Sequence, residues 1–205
     1  MEKIKQNAIQ NLEDIKKIFD NLNINFFLDG GTLLGAYRDN DFPEGDEDDI
    51  DLGCIYYSIE EKIDRIISEA EKLGFSLYHQ WKYQLAFKRG GSKIDIFFHR
   101  RFNDQYVSFL YKRVRDVDGC GIYEKDENGN LFLCIPMVVP FKYYSGEINI
   151  IKFYGMDLNI PFLVEDYLKF KYGDWKTPIH RKDYANAGGC YNPEMNKVVN
   201  INFLY

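Results

Sequence analysis

Two short stretches in the first half of the chain have the residue types and spacing for phosphate chemistry. The first is Asp29-Gly30-Gly31-Thr32, which ends an apolar run that starts at Phe26. The second is Asp46-Glu47-Asp48-Asp49-Ile50-Asp51-Leu52, whose last two aspartates are separated by a single isoleucine. In an extended segment Asp49 and Asp51 point to one face, about 7 Å apart. Two carboxylates that close repel, and each raises the other's pKa unless a cation lies between them. Magnesium or manganese resolves the conflict, because hard cations take oxygen ligands and keep positions open for substrate phosphates. A third carboxylate, Asp95, stands between Ile94 and Ile96 in an apolar run, where an unpaired charge is costly. Placing that run beside the Asp49/Asp51 strand completes a three-carboxylate site. The acidic run also fits a solvated loop, although it lacks the spacing and final Glu of a calcium loop. Asp95 also fits a salt bridge to Lys93 or Arg89.

The double glycine supplies the complementary half. Gly30 and Gly31 can adopt φ > 0 and let a ligand approach the backbone. The N–H groups of such a turn and of the helix start after it form an anion site, aided by the helix dipole. Thr32 can add a hydroxyl. No Gly-Lys-Ser/Thr follows, so this is not a P-loop. Arg38, about two helical turns on, reads either as a phosphate ligand or as a surface cation.

These residues need elements to hold them. Ile4, Ala8, Leu12, Ile15, Ile18, Phe19 and Leu22 share one face of a helix over 3–22. Strand 26–28 feeds the glycines, and Thr32–Tyr37 reads as the first turns of a helix. A polar loop with Pro43 leads to a strand over 48–57. The next helix, 60–73, turns Ile63, Ile66, Ile67, Ala70 and Leu73 inward and is capped by Gly74. Strands follow at 75–78, 83–89 and 93–99, with Gly90-Gly91 as a turn. Short strands are expected at 106–111, 131–135 and 138–141, with a hairpin turn at 126–130. Two apolar pieces over 148–160 break at Gly155, a helix spans 164–172, and an irregular strap occupies 179–205. This pattern predicts one domain over 1–205 of the α/β (α+β) class, a mixed β-sheet flanked by helices.

Composition narrows the partners. Hydrophobic residues make up 45% of the 205 positions, enough for a packed core. The net charge of −6 argues against nucleic acid, whose backbone demands a basic footprint. The N-terminus is charged throughout, without the apolar stretch of a secretory signal, and no run approaches a membrane span. Cys54, Cys120, Cys134 and Cys190 are too far apart for a zinc or thioredoxin motif. Reduced thiols in a cytoplasmic protein are expected.

Taken together, Leu28-Asp29-Gly30-Gly31-Thr32-Leu33-Leu34-Gly35-Ala36-Tyr37-Arg38 and Asp48-Asp49-Ile50-Asp51-Leu52-Gly53 resemble the LicD/fukutin family of phosphotransferases, a branch of the polymerase-β-type nucleotidyltransferase superfamily. Pro161, Asp166-Tyr167-Leu168 and Tyr172-Gly173-Asp174-Trp175-Lys176-Thr177-Pro178 are similar to that family's closing motif. The usual Trp before the acidic run is absent, and Glu47 stands where Asp is common. The chain shows neither the membrane anchor nor the large extra domain of the animal Golgi members, so it resembles a reduced microbial or viral form.

The resemblance implies a nucleotidyltransferase-like fold and transfer of a phospho-alcohol from a CDP-activated donor to a glycan or glycoconjugate hydroxyl. Phosphocholine, ribitol phosphate and glycerol phosphate are the expected groups, and CMP the leaving product. Asp49 and Asp51 would then bind magnesium. Asp95 would complete the site or take the proton of the attacking hydroxyl, and Gly30, Gly31 and Thr32 would cradle phosphates. For Tyr172–Pro178 a helix-end clasp is the simpler expectation. Two other readings stay open: a nucleotidyltransferase moving NMP from an NTP onto a protein, RNA or small molecule, and a non-catalytic module that keeps the fold.

Overall fold

A computed structural model describes residues 2–117, 122–126, 128–144 and 148–178. Helix α1 (Glu2–Asn21) buries Ala8, Leu12, Ile15, Ile18 and Phe19 along the predicted stripe. Asn23, at φ 50°, turns the chain into β1 (Phe26–Leu28). Helix α2 (Gly30–Arg38) follows at once, starting two residues earlier than the sequence suggests. The start moves because Asp29 acts as its N-cap, accepting from Gly30 N at 2.7 Å.

Strand β2 (Asp49–Ile55) lies antiparallel to β1. Helix α3 (Ile63–Lys72), entered through the 3-10 turns Tyr56–Ser58 and Glu60–Lys62, crosses to the hairpin β3 (Ser76–Trp81) and β4 (Gln84–Arg89). Strand β5 (Ser92–Phe102) then runs between β4 and β2. It is antiparallel to β4 and parallel to β2, so the sheet is mixed, as predicted. Its last residues, Arg100–Phe102, pair instead with β6 (Gln105–Arg113). Strands β7 (Ile122–Lys125) and β8 (Leu131–Pro140) extend that side in the order β6-β8-β7. A separate hairpin, β9 (Ile148–Phe153) and β10 (Met156–Pro161), leads into α4 (Val164–Tyr172).

The main core packs the apolar faces of α1, α2, α3 and α4 against β1, β2, β5 and β10. A smaller cluster of Tyr83, Val107, Phe109, Cys134 and Val138 lies between β6, β8 and the β3–β4 turn.

Three expectations change. The segments 131–135 and 138–141 form one strand, β8, running through Pro136. Pro136 lies opposite Phe109 of β6, and the described residues of β7 pair with Leu131–Cys134. Strand β7 itself was not anticipated. Leu73, expected inward, is 46% exposed. It is the C-cap of α3, one position past the last helical residue, where a Schellman closure through Gly74 turns it off the buried face. The strap 179–205 and the cysteines Cys120 and Cys190 lie outside the described residues, while Cys54 and Cys134 are free and buried.

Leu12→Ala is expected to cost about 2–5 kcal/mol in urea unfolding, whereas Leu73→Ala should stay within about 0.5 kcal/mol. Equal losses would contradict the placement of Leu73.

Candidate active site

The parallel register between β2 and β5 pairs Asp51 with Asp95 across the strand boundary. Asp49 lies two residues back along β2 on the same face. One carboxylate oxygen from each of Asp49, Asp51 and Asp95 falls within 4.8 Å of the others. Three carboxylate oxygens gathered this closely are the donor chemistry that a hard divalent cation takes. Asp49 Oδ1 is buried, and its contact with the protein is an ion pair to Lys93 Nζ at 3.2 Å rather than a hydrogen bond. The sequence placed these three acids together, and the structure does bring them together.

The glycine turn meets the same acids from above. Gly31 N donates to Asp51 Oδ2 at 2.7 Å. Gly30 has φ +54°, and a Cβ there would stand 2.0 Å from Asp51 Oδ2. Any side chain at position 30 would therefore displace a member of the cluster. Thr32 is fully buried. Its hydroxyl accepts from Asp51 N at 2.8 Å and donates to Asp49 O at 3.5 Å. The Gly30 and Gly31 amides and the Thr32 hydroxyl thus contact protein carboxylates and the β2 backbone, clipping α2 to the strand that carries the acids. Arg38 sits at the other end of α2, about 12 Å along the axis. There it pairs with Asp39 and donates to Trp175 O, and the structure does not bring it to the acids. Trp175 packs on Tyr37 and Gly173 ends α4 at φ +68°, so the Tyr172–Pro178 segment clasps the ends of α2 and α4.

Lys93 shares the cluster, with Nζ 2.6 Å from Asp95 Oδ2 and 3.2 Å from Asp49 Oδ1. Burial raises the Asp95 pKa to about 6, against the pull of Lys93 and with a push from Asp49. Burial, then Asp49 and Asp95, raise Asp51 well above the usual carboxylate range. Burial opposes the charge on Lys93, yet Asp95 and Asp49 hold its pKa above the ordinary lysine value.

Behind the acids lies a network that the sequence did not disclose. Asp29 is fully buried and accepts from Gly30 N, Tyr167 Oη (2.6 Å) and Lys171 Nζ (2.7 Å) on Oδ1. His99 Nε2 donates to its Oδ2 at 3.1 Å, the tautomer following from the acceptor-only carboxylate. Tyr144 Oη donates to Tyr167 Oη at 2.8 Å. Burial alone would raise the Asp29 pKa, but Lys171 and His99 overcome it and hold the carboxyl well below its usual value. Asp29 N also donates to Asp51 O at 3.1 Å, so this hub is tied to the strand that carries the site. An Asp just before a double glycine is an N-cap signal. The spacing of Tyr167 and Lys171, one helical turn apart on α4, was the other readable hint.

The description LicD/FKTN/FKRP, nucleotidyltransferase domain, matches residues 23–130, just over half of the chain. The protein belongs to this family. The matched region holds Gly30, Gly31, Thr32 and all three acids of the cluster. The Pro161–Pro178 motif lies beyond it. An uncharacterized protein of Rickettsia typhi (strain ATCC VR-144 / Wilmington) is 28% identical over 167 residues, covering 81% of this chain and 45% of that protein. One from Rickettsia prowazekii (strain Madrid E) is 28% identical over 98 residues, covering 48% and 35%. The LicD-family chain therefore spans less than half the length of these relatives. Among solved structures, the solution structure of the antibiotic-resistance factor ANT(2'')-Ia covers 98% of this chain and 92% of its own, at 16% identity and a TM-score of 0.45. Its crystal structure with adenylyl-2''-tobramycin covers 97% of each, at 15% identity and a TM-score of 0.44. No helix among the described residues is long and apolar enough to cross a membrane.

Two outcomes test the electrostatics. The folded-state pKa of Asp95 is raised, so the folded protein holds the proton more tightly than the unfolded chain. Relative to Asp95→Asn, the metal-free protein should lose stability as pH rises through about 6. Magnesium binds the deprotonated set, so its thermal shift should be larger near pH 7.5 than near pH 5. Melting curves in EDTA and in magnesium check both signs. Separately, Asp29→Ala leaves Lys171 buried without its counter-charge and should cost about 3–5 kcal/mol in urea unfolding. A cost below about 1 kcal/mol would remove Asp29 from its place as the hub.

Proposed function

We propose that this protein is a metal-dependent phosphotransferase that moves a phospho-alcohol from a CDP-activated donor to a hydroxyl of a glycan or glycoconjugate. The observation that carries the reading is the convergence of Asp49, Asp51 and Asp95 beneath the N-terminus of α2. Family membership supports a transferase; the donor and acceptor classes are part of the proposal.

Asp49, Asp51 and Asp95 would hold magnesium or manganese, which when bound neutralises the donor diphosphate and the charge developed in displacement. The chain's own residues do the rest. The α2 N-terminus adds its positive dipole end to the same space. Gly31 N and Thr32 Oγ1 fix Asp51, so the ligand geometry is set before substrate arrives. Gly30 and Gly31 keep the phosphate side of the cluster free of side chains. The acceptor oxygen attacks the phosphorus that carries the alcohol, and a new P–O bond forms. The bond to the CMP oxygen breaks, and CMP leaves. The hydroxyl proton passes to Asp95, the candidate base on β5; its pKa is raised in the metal-free protein, and a bound cation would lower it. Lys93 would move with the charge of the cluster, since it pairs with two of its three acids. Phosphate contacts by Thr32 and Arg38 are not part of this reading, because their side chains are committed elsewhere.

The test measures products with magnesium present. CDP-choline, CDP-ribitol and CDP-glycerol are offered beside the four NTPs, and release of CMP and of pyrophosphate is followed. At least one CDP-alcohol should yield CMP, while pyrophosphate from an NTP would shift the assignment to nucleotidyl transfer. Asp51→Asn should abolish release in a protein that still melts cooperatively. Asp95→Asn should lose at least about 10²-fold in rate, and a change of only a few-fold would return Asp95 to a structural role.

A further inference from the structure

A groove of about 730 Å³ opens beside the acid cluster and runs over the β4–β5 turn to the start of β3. Asp49 and Lys93 belong to both groove and cluster, and Ser76, Tyr78, Lys88 and Ser92 line the remainder of interest. Its position follows from the sheet. Neighbouring strands run β1, β2, β5, β4, β3. The α2 N-terminus is fastened over β2, where Gly31 holds Asp51. The groove lies on the β5–β4–β3 side, and the acids stand between the two.

In-line displacement places the attacking and leaving oxygens on opposite sides of phosphorus. With the donor diphosphate against the positive end of α2, the attacking hydroxyl must arrive from the groove. Asp95, on β5, stands on that side and is supported by a hydrogen bond from Gln84 of β4.

The lining says what kind of molecule enters. Lys88 stands opposite Lys93 in the β4–β5 register, and Ser76 stands opposite Lys88 in the β3–β4 register, so both share the sheet face that carries Asp95. Lys93 is committed to Asp95 and Asp49, and Arg89 to Asp14. Lys88 is exposed, with Nζ 3.3 Å from the centre of the Tyr78 ring, and no carboxylate pairs with it among the described residues. The groove therefore offers one uncommitted cation on an aromatic face, with hydroxyl groups nearby.

We infer that this groove is the acceptor subsite, and that it takes a polyhydroxylated acceptor bearing an anionic group. Lys88 holds the phosphate or carboxylate against Tyr78, and a free hydroxyl is presented toward Asp95. The assignment rests on the phosphotransfer reading of the acid cluster.

The test reads binding without turnover. Isothermal titration of the magnesium-loaded full chain, without donor, compares glucose 6-phosphate, glucuronate and glucose. At least one of the two anionic sugars should bind about 10-fold or more tightly than glucose, the size of one charge-assisted hydrogen bond. Their relative affinity distinguishes a phosphate from a carboxylate. Lys88→Glu and Lys88→Gln should both erase the preference over glucose. Lys152→Glu, the same charge change on β9 outside the groove, should leave it within about twofold. Equal binding of all three sugars by the wild type, or a preference that survives both Lys88 variants, overturns the inference. Release of CMP from the CDP-alcohols is measured separately on the wild type, so failure of the transfer chemistry and failure of the subsite give different results.

Discussion

The buried carboxylate of Asp29 is the constraint on which the site is built. A charge with no exposed surface must be matched by donors, and here four donors come from three parts of the chain. Gly30 supplies the start of α2, His99 the end of the central strand β5, and Tyr167 and Lys171 the inner face of α4. Satisfying one residue therefore fixes where a helix begins, where a strand passes and how the last described helix docks. Asp29 also donates its own N–H to Asp51 O, so the geometry of the hub is passed directly to the acid cluster.

The second constraint is repulsion. Asp49, Asp51 and Asp95 are held close by backbone pairing that has no regard for their charge. Burial makes the conflict sharper, and the raised pKa values of Asp51 and Asp95 are its signature. Lys93 answers part of it, and a divalent cation would answer the rest. The two buried centres differ in this respect. Asp29 is paired with Lys171 and bonded by His99, and its role is positional, whereas the cluster gathers three carboxylates around one lysine, the excess of negative charge that a metal site needs.

Local rules reached much of this. Period-two alternation paired Asp49 with Asp51, the double glycine marked a helix start beside them, and the apolar stripe of α1 was readable from Ala8 to Phe19, while Ile4, expected on it, is exposed. They failed where the deciding contact was distant. Asp29 reads as a turn residue because its partners lie 70, 138 and 142 positions away. Thr32 was read as a hydroxyl for phosphate, and Arg38 as either a phosphate ligand or a surface cation. Packing against β2 and against Trp175 gave them other partners.

The amino-acid sequence by itself determined which acids share a strand face, where the backbone could turn tightly, and which family the chain resembles. These follow from bond geometry and from motifs contained in a few consecutive residues. Only the tertiary structure decided that Asp95 faces Asp51, that the glycine amides hold a carboxylate, and that α4 locks Asp29. Strand register and side-chain pairing across long loops depend on how distant segments pack against one another, and no local periodicity encodes that choice.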